Sequence, residues 1–139
     1  MTLPEYSLEG RRVLITGAGR GIGKGIALVM AEAGTDVAVT GLTPTGVGRV
    51  AEAVAALGRR GVPLVCDATK QEEMDRLPAQ VLEKLGGLDV LINCVGDAIL
   101  GPVAMRPDKQ GAAMTQADWQ RIVDINLTEA FLGCRALGP

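Results

Sequence analysis

Histidine is absent from the 139 residues, and tryptophan, tyrosine and phenylalanine occur once each, at Trp119, Tyr6 and Phe131. Serine is limited to Ser7. Without histidine, a Ser-His-Asp triad and His-ligated metals are excluded, and no metal site is expected. Charge of one sign is also lacking: 14 Lys and Arg stand against 16 Asp and Glu, a formal net charge of −2. No basic surplus is available for a nucleic-acid backbone or an anionic lipid surface, so neither is an expected partner. No apolar run reaches the ~18 residues of a membrane span. Residues 1–12 carry Glu5, Glu9, Arg11 and Arg12 and no apolar stretch of a secretory leader,. Cys66, Cys94 and Cys134 are odd in number, far apart and free of any C-x-x-C spacing. They read as reduced thiols, small residues of a buried core, and with the missing leader they imply a cytoplasmic protein. What remains, 47% hydrophobic and 22% charged residues, is the composition of one globular domain covering residues 1–139.

Short apolar runs alternate with helical periodicity along the chain. Residues 12–16 (RVLIT), 36–40 (DVAVT), 62–66 (VPLVC) and 88–93 (LDVLIN) read as strands,. Pro63 suggests a strand start or a sheet edge for the third. Residues 21–33 read as a helix closed by Gly34, and the alanine-rich residues 46–57 as a helix closed by Gly58. Residues 70–85 are helical, with a break expected near Leu77 because Pro78 suits a first turn. Residues 97–113 read as a long loop containing Gly101-Pro102 and a polar stretch from Arg106. Thr115 and Asp118 form a capping box before a last helix running to about Leu137. The order β-α-β-α-β-α-β-loop-α, with strands that are continuously apolar, predicts an α/β fold: a doubly wound parallel sheet of four strands covered on both faces,.

The strongest local signal is Thr16-Gly17-Ala18-Gly19-Arg20-Gly21-Ile22-Gly23, between the first strand and the first helix. Glycine permits positive φ and removes the Cβ that would block a diphosphate, and the helix start offers unpaired N–H groups to the anion. The glycines at 17, 21 and 23 have the spacing G-x-x-x-G-x-G, and with Thr16 in front this resembles the fingerprint of the short-chain dehydrogenase/reductase family. The likeness runs on through five segments in order. Residues 7–17 (SLEGRRVLITG) are similar to that family's N-terminal lead. Asp67-Ala68-Thr69 resembles the turn after strand three that holds the adenine ring. Residues 88–96 (LDVLINCVG) resemble the L-D-x-L-x-N-N-A-G segment, with Cys94 and Val95 replacing the second asparagine and the alanine. Residues 119–127 (WQRIVDINL) resemble the helix bearing the catalytic asparagine, here Asn126. The polar stretch 106–113 looks like an insertion.

The resemblance implies a Rossmann-like fold and hydride transfer between a nicotinamide and a carbonyl or alcohol carbon. It implies coenzyme contacts from Thr16, Gly17, Gly19, Arg20, Gly21, Ile22, Gly23, Asp67, Ala68, Asn93 and Gly96, and a catalytic role for Asn126. At the end of strand two, Thr40-Gly41-Leu42-Thr43 offers no carboxylate to bind a ribose 2′-hydroxyl, whereas Arg20 can pair with a 2′-phosphate. NADP is therefore the preferred coenzyme, with NAD as the alternative. The family's serine, tyrosine and lysine follow the asparagine helix, and the only tyrosine here, Tyr6, has Gly10 rather than lysine four residues on. Asp97 and Asp124 are the acids that could stand in near the nicotinamide, with solvated loop and helix-face positions the favoured reading of both. The chain thus reads as a C-terminally incomplete, cofactor-binding half of an oxidoreductase, inactive alone, which meets its small-molecule carbonyl or alcohol substrate only if the missing half is supplied. Strand four would then be an open edge, and the apolar face at Ile122, Ile125 and Phe131 would lose cover, so by family analogy a homo-oligomer is expected. The alternatives are a non-catalytic NADP-binding module, and a domain for another adenine-containing ligand such as a methyl donor.

Overall fold

The computed structural model describes residues 6–104 and 111–138. Four parallel strands, β1 (Arg12–Ile15), β2 (Asp36–Gly41), β3 (Gly61–Val65) and β4 (Val90–Ile92), lie in the order β3-β2-β1-β4. Val13 pairs with Val37 on one side and Val90 on the other, so β1 is central. Side chains of a strand alternate between faces, and the core is split accordingly. Val13, Ile15, Val37 and Val39 pack on one face with Ala27, Ala31, Val47, Val50 and Val54. Leu14, Ala38, Val62 and Leu64 pack on the other with Met74, Leu77, Val81, Leu85 and Leu132. Helices α1 (Gly21–Glu32) and α2 (Pro44–Ala56) therefore cover the first face. Helices α3 (Gln71–Met74), α4 (Leu77–Leu85) and α6 (Glu129–Leu137) cover the second. This is the doubly wound α/β architecture with four strands expected from the sequence.

Several boundaries differ from expectation. Helix α2 starts at Pro44, not Gly46, because the Thr43 hydroxyl accepts from the Gly46 amide and Pro44 fits the first helical position,. The break in the third helical segment falls at residues 75–76, and α4 restarts at Leu77 with Pro78 in its first turn. Strand β4 is three residues rather than the six expected over 88–93, since its register with β1 runs only from Val13↔Val90 to Ile15↔Ile92, where β1 ends. Pro63 lies within β3, an edge strand, where a missing amide donor is tolerated,. The expectation of uniformly buried cysteines holds for Cys66 but not for Cys134, which is exposed, while Cys94 is half-buried. Most of the polar stretch 106–113 lies outside the described residues.

The last helical segment is not one continuous helix. Helix α5 (Gln116–Val123) begins with the expected capping box, the Thr115 hydroxyl accepting from the Asp118 amide and the Asp118 carboxylate accepting from the Thr115 amide at 2.9 Å. That carboxylate is held below its ordinary range first by the Thr115 hydroxyl. Replacing Thr115 with alanine is expected to cost about 1 kcal/mol, read as a lower urea midpoint with unchanged slope. Between α5 and α6 lies a π-helical turn, Asp124–Thr128. Such turns are rare and concentrate at functional positions.

At the N-terminal ends of the strands, Arg12 pairs with Asp89 at 2.9 Å, Arg60 with Asp36 at 2.8 Å, and Arg59 with Glu9. These pairs clasp the end of the sheet away from the glycine turn.

Candidate functional site

The chain leaves β1 toward β2 on one side and returns from β3 to β4 on the other. The loops after β1 and β4 therefore diverge, and a crevice opens at the C-terminal ends of the strands,. The cleft found there measures about 1120 Å³. Each strand contributes the residues that follow it: the glycine turn after β1, Gly41 to Thr43 after β2, Cys66 to Thr69 after β3, and Cys94 to Asp97 after β4. Gln120, Arg121, Asp124 and Ile125 close one wall.

The glycine turn is built as its spacing requires. Gly17 and Gly21 have φ of +64° and +58°, a region L side chains rarely adopt,. A Cβ on Gly17 would stand 2.9 Å from the Cα and Cγ2 of Val95, so this glycine lets β1 and the loop after β4 meet. A Cβ on Gly23 would stand 2.8 Å from the Cα of Ala18, which lets α1 seat against the turn. Gly21 differs, because a Cβ there would meet nothing within 4 Å. Arg20, the residue before α1, makes no side-chain cap. Among the described residues, the amides of Gly19, Arg20, Gly21, Ile22 and Gly23 donate to no protein acceptor. The result is a run of bare N–H groups at a helix start with an open space beside them.

Of the residues singled out from the sequence, Gly17, Gly19, Arg20, Gly21, Ile22, Gly23, Asp67, Ala68 and Gly96 line the cleft together, and Asp97 and Asp124 join them. Asp67 is held in place by its neighbours: its carboxylate accepts from the Thr69 hydroxyl at 2.7 Å and its amide donates to Glu73 at 2.7 Å. Thr16, Asn93 and Asn126 do not line it. Thr16 is fully buried beneath the turn, where its hydroxyl accepts from the Cys94 amide at 3.0 Å and so ties β1 to the loop after β4. Asn93 turns to the α6 face, its Nδ2 donating to the Cys134 sulfur at 3.4 Å and its Oδ1 buried without a partner. Asn126 sits in the π-helical turn, and its Nδ2 donates to the carbonyls of Asp97 at 2.9 Å and Ile122 at 3.0 Å. The Ile122 carbonyl, one turn earlier, thus accepts from the Asn126 side chain, and the π-helical turn is pinned to the loop after β4. Gly96 leaves room for this, since a Cβ there would stand 3.2 Å from Asn126 Oδ1.

Of the two acids in this region, Asp124 was singled out from the sequence and Glu129 was not. Asp124 spans the π-helical turn, accepting from Gln120 Nε2 at 2.9 Å and the Thr128 hydroxyl at 3.1 Å. Glu129 is only 2% exposed and has an Oε2 with no partner. Burial, opposed by the Thr16 hydroxyl, pushes its carboxyl up to about 7. The helical phase carried a signal for it, because Glu129 lies four residues after Ile125 and three before Leu132, on the stripe that faces the sheet. In the cleft wall, burial first, and then the charges of Glu73 and Asp67, push the Cys66 thiol up to about 11, so it stays protonated.

Comparison with known proteins agrees with this geometry. A family model described as short chain dehydrogenase matches residues 11–139. The 2-dehydro-3-deoxy-D-gluconate 5-dehydrogenase of Pseudoalteromonas atlantica is 34% identical over 98% of this chain and 51% of its own length. A crystal structure of a short-chain alcohol dehydrogenase from Sinorhizobium meliloti superposes with a TM-score of 0.86 at 39% identity, over 97% of this chain and 50% of that one. A 7α-hydroxysteroid dehydrogenase complexed with NADH and 7-oxo glycochenodeoxycholic acid superposes with a TM-score of 0.86 at 31% identity, over 100% of this chain and 51% of that one. The chain thus spans about half the length of the relatives it matches. A fold, a glycine turn and a family model that coincide over nearly the whole chain place it in the short-chain dehydrogenase/reductase family.

Proposed function

We propose that these residues form the coenzyme-binding part of an NAD(P)(H)-dependent oxidoreductase acting on a carbonyl or alcohol carbon, with NADP preferred. The observation that carries the reading is the row of unpartnered amides at residues 19–23, opening on a cleft in which Gly21 leaves free space. A diphosphate suits that cradle, because it satisfies the bare donors and meets the positive end of α1. Gly17 and Gly23 let the backbone fold tightly enough to form the cradle, and Thr16 anchors it from below. Asp67 and Ala68 line the part of the cleft proposed for the adenine, with Asp67 oriented by Thr69. Asn93 and Asn126 set the shape of the loop after β4, which borders the proposed nicotinamide end.

When bound, the coenzyme supplies hydride chemistry, and the protein supplies binding, orientation and proton handling. The 139 residues hold no tyrosine or serine beyond Tyr6 and Ser7. Both precede β1 at the clasped end, where the Leu8 amide donates to the Ala33 carbonyl. General acid–base help of ~10²–10⁴-fold thus has no tyrosine in the cleft to supply it. The reading is therefore binding without turnover by this chain alone, with substrate chemistry requiring the serine, tyrosine and lysine typical of the family. A cytoplasmic location and a homo-oligomeric assembly belong to the same reading, the latter because Phe131 is 60% exposed on α6.

The preference for NADP rests on Arg20 in the cleft wall and on the uncharged Leu42 and Thr43 opposite it. Calorimetry of the 139-residue protein is expected to show tighter binding of NADPH than NADH. Arg20→Ala should weaken NADPH about tenfold more than NADH, the loss of one charge-assisted pair. Equal affinity for both coenzymes removes the preference; heat from neither overturns the proposal.

A further inference from the structure

The chain has no histidine, yet it keeps one carboxylic acid almost wholly inside the protein, directly behind the glycine turn. Glu129 begins α6 at 2% exposure, and its Oε2 has no partner among the described residues. An ionised carboxylate with a bare oxygen in such a place is strongly disfavoured. The one polar group acting on it is the hydroxyl of Thr16. That hydroxyl also accepts from the Cys94 amide at 3.0 Å. The chain of contacts therefore runs from Glu129 through Thr16 to Cys94, and from Thr16 along the backbone to Gly17, so both loops that border the cleft are touched.

We propose that Glu129 is a positioning residue that couples a proton to dinucleotide affinity: binding of the coenzyme diphosphate at the glycine turn holds Glu129 in its neutral form and takes up a proton from solution.

The inference rests on the coenzyme reading above. A negative charge buried one residue behind the diphosphate cradle repels the ligand through a low-dielectric interior, where screening by salt is weak. A neutral Glu129 does not. The ordinary carboxylate range lies far below neutrality, but burial moves this group up to about 7, so both forms exist near neutral pH. By linkage, whatever weakens the coenzyme when Glu129 ionises must raise the proton affinity of Glu129 when the coenzyme binds.

Other charged groups on the surrounding elements do not account for this coupling. Helices α3 and α4 carry Glu72, Glu73, Glu83 and Lys84, Asp124 lies in the π-helical turn, and Arg135 on α6 pairs with Asp75 at 2.9 Å. Burial and the Thr16 hydroxyl are what act on Glu129, with no charged neighbour contributing. Just after β4 stand Asn93, with Cys134 beside it, and Cys94, which lines the cleft.

The test is titration calorimetry of the full 139-residue chain with NADH, whose diphosphate keeps the same charge from about pH 6 to about pH 8.5. Repeating it in buffers of different ionisation enthalpy gives the protons exchanged on binding. Wild-type affinity should fall roughly three- to tenfold across that range, with a fractional proton taken up near pH ~7.5. In Glu129→Gln the affinity should be nearly flat with pH and the proton uptake absent, while Glu83→Gln on α4, away from the cleft, should retain both. Binding that is strong, independent of pH and free of proton uptake overturns the coupling but leaves the coenzyme reading standing. Proton uptake that persists in Glu129→Gln assigns it to another group and overturns the proposal as well. No binding at any pH in folded protein, checked by circular dichroism, defeats the coenzyme reading itself and the coupling with it.

Discussion

Replacing Gly17 with alanine is expected to abolish measurable coenzyme binding and to destabilise the fold by about 2–4 kcal/mol. Two independent costs combine. The residue has φ +64°, a conformation that penalises a Cβ by ~1–2 kcal/mol,. The added methyl also stands 2.9 Å from the Val95 Cα, which is backbone and cannot rotate away. Relief requires β1 and the loop after β4 to separate, which breaks the Thr16–Cys94 hydrogen bond and displaces the cleft floor. The informative control is Gly25→Ala in the middle of α1. A Cβ at Gly25 meets nothing within 4 Å, and its φ is ordinary. That change should stabilise the protein by up to ~1 kcal/mol through helix propensity and leave coenzyme binding intact. Urea melts together with an NADPH titration distinguish the two. If both variants behave alike, the close approach at Gly17 is not what shapes the turn.

The second large effect is on stability rather than binding. Glu129 has a folded-state value near 7 against an ordinary 4.5. A raised carboxyl means that the folded protein holds a proton the unfolded chain has released. Stability from this group is therefore fully present below about pH 4.5, falls as pH rises toward about 7, and is constant above. The loss amounts to about 3 kcal/mol at ~1.4 kcal/mol per unit. Glu129→Gln keeps the shape and removes the titration. Its stability relative to the wild type should thus improve by about 3 kcal/mol between pH ~4.5 and pH ~8. The comparison cancels the other acids, which titrate in both proteins. Parallel pH–stability curves for the two proteins would show that Glu129 is solvated.

Both effects concern residues whose visibility in the sequence was very different. Gly17 was legible because three features coincide around it: an apolar strand before, an amphipathic helix after, and glycines at 17, 21 and 23 between. Each has a local physical cause, so a local reading suffices. The strands β1 to β3, the helices α1 and α4, and the capping box at Thr115 were legible for the same reason. The start of α2 was also written locally, as Thr43 followed by Pro44, but the alanine-rich stretch farther on drew the expected boundary two residues too late.

Other features have no local cause. The π-helical turn Asp124–Thr128 holds Asn126 where its side chain reaches the carbonyls of Ile122 and Asp97 at once, and Asp97 is 29 residues away. The shortness of β4 depends on which strand it pairs with, not on its own apolar residues. Asn93 was expected at the coenzyme from its motif. It faces α6 because the alternation of β4 and the bare Gly133 place it there, a Cβ at Gly133 overlapping the Asn93 Oδ1.

Composition and periodicity by themselves determined the class of this protein: an α/β domain with a glycine turn between its first strand and first helix. Backbone sterics and hydrophobic spacing act over a few residues, so they can be read along the chain. The three-dimensional packing decided what surrounds that turn. It buried Glu129 against Thr16, turned Asn93 away from the cleft and opened the helix at Asn126, because burial and hydrogen-bond partnership depend on neighbours contributed by distant segments of the chain.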